Sequence, residues 1–157
     1  VIERKTAVLF SAATGLAAHI AKASETMQAQ MNAFGMHLGL AFQIADDVLD
    51  YSGDSDALGK NLGDDLQEGK ATLPLIHALS LANEPVQIRL REIIEQGDAS
   101  AMPEVLNAIK HAGSLQYSLE QAQQHAQLAK QALNDVPDSE WKQALLDLAD
   151  YSVARTY

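Results

Sequence analysis

Cysteine is absent from all 157 residues, so neither a disulfide nor a thiolate metal site can hold this chain together. Aromatic side chains are scarce, at 5%. Alanine and leucine are plentiful instead, and that balance points to helices rather than a sandwich or barrel. Bases are outnumbered, with 11 Lys and Arg against 21 Asp and Glu and a formal net charge of −10. A surface of that sign repels a phosphate backbone, which argues against nucleic acid as a partner. It leaves phosphorylated small molecules open, because a local lysine or a metal ion can bind those. No Walker loop, dinucleotide fingerprint, nucleophile elbow, Glu-x-x-His pair or internal repeat occurs. The uncharged run from Thr26 to Ala45 is long enough to cross a bilayer. It contains Gln28, Gln30, Asn32, His37 and Gln43, so it reads as a buried helix and no transmembrane segment is expected. No signal peptide is visible, and with the lack of cysteine this fits a cytoplasmic protein. The chain opens on Val1 inside a helical pattern, as a fragment or trimmed product would.

The most informative stretch is Gly39 to Tyr51. Gln43, Asp46, Asp47 and Asp50 recur at i, i+3, i+4 and i+7, one polar stripe on an otherwise apolar helix. A surface helix has the reverse pattern, so the stripe is expected to face an enclosed polar space. Three carboxylates within one and a half turns repel, by about 0.2–0.5 kcal/mol per exposed i,i+4 pair and by more when desolvated. A cation relieves that repulsion. Oxygen-only ligands suit a hard divalent ion, and Mg²⁺ is typically held by one or two carboxylates together with substrate phosphates. The plain alternative is an acidic helix end frayed into water.

Around this stretch the chain reads as a single helical domain with enough residues for a real core. Residues 2–18 form a helix whose apolar contacts include Val8, Leu9 and Leu16. Ser24 caps a second helix over 25–51, about 40 Å long. Gly35 and Gly39 lie beside the polar stripe, for close helix packing or for ligand space. Residues 52–71 form a glycine-rich loop that carries Lys60 and Lys70, with Asp64, Asp65 and Glu68 shaping it. A loop of that length inside a compact domain is usually functional or disordered. Thr72 caps the next helix, with Pro74 in its first turn. Further helices are marked by Val86 to Ile94, by Met102 to Ile109, from Ser114 onward, and after Pro137. In the last of these Trp141, Leu145, Leu148 and Val153 face inward. The five histidines read as packing or surface residues.

Phe42-Gln43, Asp46-Asp47-Val48-Leu49-Asp50, Gly59-Lys60, Gly63-Asp64-Asp65-Leu66, Glu68-Gly69-Lys70 and Thr72-Leu73-Pro74 together closely resemble the trans-prenyl diphosphate synthases. The likeness is greatest to the long-chain bacterial octaprenyl type that makes quinone side chains. Lys5-Thr6 falls where that family has its Lys-Thr motif. The resemblance implies an all-α prenyl synthase bundle, of which this chain is the C-terminal portion. It implies Mg²⁺ on Asp46, supported by Asp47 and Asp50. It implies an allylic diphosphate held by Lys5, Thr6, Gln43, Lys60 and Lys70, with Asp46, Lys5 and Lys60 taking the catalytic roles. The reaction implied is ionisation of the allylic diphosphate, attack by isopentenyl diphosphate, and loss of a proton, in a homodimer when complete. The family is about twice as long, and its first aspartate-rich motif with the following arginine pair is not among these residues. The chain is therefore expected to show no turnover alone. The alternatives are a non-catalytic subunit of a heteromeric prenyl synthase, which usually lacks such aspartates, and a terpene-cyclase-like lyase.

Overall fold

The computed structural model describes residues 1–52 and 64–154. Among them every regular element is helical. A π-helical turn over Glu3–Ala7 leads into α1 (Val8–Ile20), followed by α2 (Glu25–Ser52), the single turn α3 (Asp64–Gln67), α4 (Leu73–Leu81) and α5 (Glu84–Gln96). A 3-10 turn at Ala99–Ala101 precedes α6 (Met102–His111), and α7 (Ser114–Ala132) and α8 (Glu140–Ala154) complete the order. No described helix is long and apolar enough to cross a membrane. The chain divides into two compact units, one of residues 1–45 and 120–156 and one centred on residues 46–119.

Helix ends follow local chemistry. The Ser24 hydroxyl accepts from Met27 N at 3.2 Å, and Asn83 Oδ1 accepts from Val86 N at 3.2 Å with Pro85 in the first turn. At the end of α5, Gly97 adopts φ +60 while its amide and that of Asp98 return to the carbonyls of Ile94 and Ile93. That left-handed closure satisfies two carbonyls the helix would otherwise leave open.

The first unit is built on very close helix approach. Phe34, Leu38, Ala129, Leu133 and Ala149 form its core. A Cβ on Gly39 would sit 2.6 Å from Ala7 Cα, and one on Gly35 would lie 2.5 Å from the Phe10 carbonyl oxygen. These glycines therefore let α2 and the first helical segment touch backbone to backbone; of the two readings open for them, helix packing is the one realised. The second unit has its own core, in which Tyr51, Leu66, Leu75, Ala78, Leu90, Ile93, Val105 and Ile109 are buried together.

Several expectations are corrected. Asp64–Gln67 is a helical turn rather than loop, because its backbone closes on Gly69 at φ +66. Trp141 is 74% exposed and Leu148 46%: α8 buries Ala149 and Ser152 instead, with Leu145 half-buried, a face one step round from Leu148, and Trp141 lies in the first turn of the helix. Val8, Leu9 and Leu16 are also exposed. The α1 contacts of the first unit run through Phe10 and its small residues, which allow closer approach than leucine does.

His37 and His125 meet in the first unit. Their Nδ1 atoms lie 3.1 Å apart and the rings stack at 5.3 Å. One ring must donate to a bare nitrogen on the other, so the pair cannot be doubly protonated without losing the bond. Burial holds both imidazoles below their usual range, and the charge of His37 adds to this for His125.

Two outcomes are expected. Gly39→Ala gains helix propensity but forces overpacking against Ala7, for a net loss of about 1–2 kcal/mol in urea denaturation; an unchanged midpoint would contradict the close approach. For the histidine pair, the folded state binds fewer protons than the unfolded state below the ordinary value of 6.5. Stability is therefore full above that value and falls as pH drops through it. Urea midpoints at about pH 7.5 and about pH 5 should differ in that direction, and His125→Asn should narrow the gap.

Candidate functional site

Within the second unit the three acids at the end of α2 have two different settings. Asp46 and Asp50, four residues apart, are half-buried. Asp47 is only 4% exposed, on the buried side of the helix with Ile44, Val48 and Tyr51. Asp47 is thus withdrawn from open water, and Asp46 and Asp50 are partly so. Among the described residues no three His, Asp or Glu side chains already converge on one point as ligands would.

Tyr51 lies one turn after Asp47 and adjoins Asp50. Its ring packs into the unit's core, and its Oη accepts from the Thr72 hydroxyl at 3.2 Å. Burial is the main influence raising its phenol, to about 12. The Thr72 bond opposes this, and the charges of Asp50, Asp65 and Asp47 push further upward. The nearby carboxylates thus add to burial in keeping the phenol protonated.

Thr72 takes the extended backbone of an N-cap, yet its side chain makes no cap bond to α4. This corrects the expected capping role: the hydroxyl turns to Tyr51 instead. Lys70 is also engaged. Its Nζ lies 2.6 Å from Glu68 and 2.9 Å from Asp65, and those two bonds hold the ammonium above its usual range, Glu68 first. The pair closes the turn after α3, where the amides of Gly69 and Lys70 reach the carbonyls of Leu66 and Asp65. Lys60 lies outside the described residues.

The remaining candidates belong to the first unit. The Thr6 hydroxyl donates to Gln43 Oε1 at 2.8 Å, so these two are brought together. Lys5 is exposed on the same π-helical turn as Thr6, and such turns recur at functional sites. Sequence reasoning missed the Tyr51–Thr72 pair. The available signal was the spacing of Tyr51, four residues after Asp47 and hence on its face; the identity of its partner was not readable.

The family profile for Polyprenyl synthetase matches residues 1–112. The octaprenyl diphosphate synthase of Haemophilus influenzae is 48% identical over 158 residues, covering 100% of this chain and 48% of that protein. The octaprenyl diphosphate synthase of Escherichia coli is 42% identical over 156 residues, covering 99% and 48%. A polyprenyl synthase from Caulobacter crescentus, solved in complex with calcium and isoprenyl diphosphate, is similar with a TM-score of 0.88 and 38% identity. That likeness covers 98% of this chain and 48% of the other. The chain spans about half the length of the curated relatives it matches.

The raised phenol has a measurable consequence. Because Tyr51 keeps its proton to about 12 when folded and to about 10 when unfolded, its stabilisation is complete below the lower value and is lost as pH rises between the two. Two pH units correspond to about 2.7 kcal/mol. Tyr51→Phe should therefore flatten the alkaline fall of the denaturation midpoint by about that order. An identical fall in both proteins would contradict the placement of this phenol.

Proposed function

The chain belongs to the polyprenyl synthetase family, and from that premise we propose that it supplies the second aspartate-rich half of a long-chain trans-prenyltransferase. The reaction joins isopentenyl diphosphate to an allylic diphosphate, with an octaprenyl-type product for quinone side chains. The observation that carries this reading is the withdrawal of Asp47 from water beside Asp46 and Asp50 at the end of an apolar helix.

The donor set fits a hard divalent cation. All its ligands are carboxylate oxygens, the donor type that a hard cation prefers. A protein cage of three or more ligands is not required for Mg²⁺, which takes its remaining oxygens from water and substrate phosphates. In this proposal Asp46, Asp47 and Asp50 would hold Mg²⁺, which would supply positive charge beside a diphosphate. Lys5, Thr6, Gln43, Lys60 and Lys70 are the side chains assigned to the diphosphate. Charge builds on the leaving group as the allylic bond breaks, so ammonium groups stabilise the transition state more than the ground state. Lys70 reaches that role only by exchanging Glu68 and Asp65 for phosphate oxygens, an exchange between like partners. Residues 52–71 are assigned as the active-site loop of one helical domain. Homodimer formation and a cytoplasmic location complete the proposal. Residues 1–157 lack a first aspartate-rich motif, so the reading assigns them no turnover by themselves.

The test uses residues 1–157 with magnesium, an allylic diphosphate and isopentenyl diphosphate. Expected are a magnesium-dependent rise in melting temperature with the allylic diphosphate and no elongated product. Asp46→Asn should cut the affinity roughly tenfold or more, about 1.4 kcal/mol, while its unliganded melting temperature stays level or rises because repulsion is relieved. Equal ligand shifts in parent and variant would overturn the assignment, and elongation by the parent would overturn the half-site reading.

A further inference from the structure

A threonine at an N-cap ordinarily turns its oxygen to an amide of its own helix. Thr72 has the backbone of such a residue, φ −82 and ψ 168, and makes no such bond. Its hydroxyl reaches back 21 residues to the phenol of Tyr51. Both side chains are buried, Tyr51 to 4% and Thr72 to 7% exposure. We propose that Tyr51 and Thr72 form a latch between the last turn of α2 and the start of α4, and that Tyr51 is a positioning residue for Asp47 and Asp50.

The last turn of any helix is its least secured, because its final carbonyls lack partners within the helix. In α2 that turn carries Asp50, and the turn before it carries Asp46 and Asp47. Tyr51 counters fraying in two ways. Its ring belongs to the same buried core as Leu66, Leu75 and Ala78, which limits how far the turn can stand from α4. Its hydroxyl bond to Thr72 fixes the rotation of the turn about the helix axis. Rotation is what matters for the carboxylates, since Asp47 shares a face with Tyr51 and Asp50 is its neighbour. A phenylalanine would fill the same core space and release Thr72 to cap α4. The hydroxyl therefore adds direction, not volume. Positioned ligands bind a cation without a further loss of side-chain and backbone freedom.

The proposal rests on the reading of the acids as a site for a divalent cation with a diphosphate, and the test separates the two. Tyr51→Phe, Thr72→Val, their double variant and Thr72→Ser would be compared with the parent in residues 1–157. Backbone hydrogen exchange over residues 48–52 reads the latch, and calorimetric titration with magnesium and inorganic pyrophosphate reads the site. Expected is an exchange increase of roughly tenfold in Tyr51→Phe and in Thr72→Val, with residues 93–109 unchanged. The double variant should be no worse than either single one, as members of one interaction behave. Pyrophosphate affinity should fall about fivefold or more with each, and Thr72→Ser, which keeps the hydroxyl, should restore both readings. A packing role alone predicts no rescue by the smaller serine. Unchanged exchange in Tyr51→Phe overturns the latch. Altered exchange with unchanged affinity overturns the positioning role. Absence of pyrophosphate binding in the parent overturns the diphosphate reading itself, and the positioning role falls with it.

Discussion

A carboxylate taken out of water loses hydration worth several kcal/mol unless hydrogen bonds or opposite charge replace it. Asp47 is almost wholly taken out of water, with Asp46 and Asp50 beside it on the same helix end. Beside it, burial first and then the charges of Asp50, Asp65 and Asp47 keep the phenol of Tyr51 protonated.

The nearby cation is spoken for within its own turn. Lys70 closes on Glu68 and Asp65, both acids close in sequence. This arrangement stores an ammonium group in reach of oxygen partners that a phosphate can replace one for one. Thr72 follows the same economy of polar groups, turning a hydroxyl that could serve its own helix toward the tyrosine that ends α2. In the first unit the governing constraint is steric rather than electrostatic. Gly35 and Gly39 bring backbone against backbone, and Thr6 meets Gln43 across that close approach.

Much of the fold was legible. Ser24 marks a helix start by residue type and Pro74 a first turn, and each does so in the structure. The apolar period over 25–51 predicts α2 to within one residue at its C-terminal end. Less legible were features that depend on a partner. Trp141 looks like core by type but stands 74% exposed, because nothing in the chain's own period says where the neighbouring helix stops. Leu9 and Leu16 fail in the same way. The turn at Asp64–Gln67 was hidden by its glycines and charges, which resemble loop until the closure at Gly69 is seen.

The sequence by itself determined the helices, the family, and which acids share a helix face, because period, capping chemistry and motif spacing are local properties of the chain. Tertiary structure alone decided that Asp47 is buried while Asp46 and Asp50 are half-buried, that Gly35 and Gly39 serve packing, and that Thr72 serves Tyr51 rather than α4. Each of these is settled by a residue distant in the chain. Burial and hydrogen-bond choice depend on what approaches from outside the local window, and no local pattern encodes that.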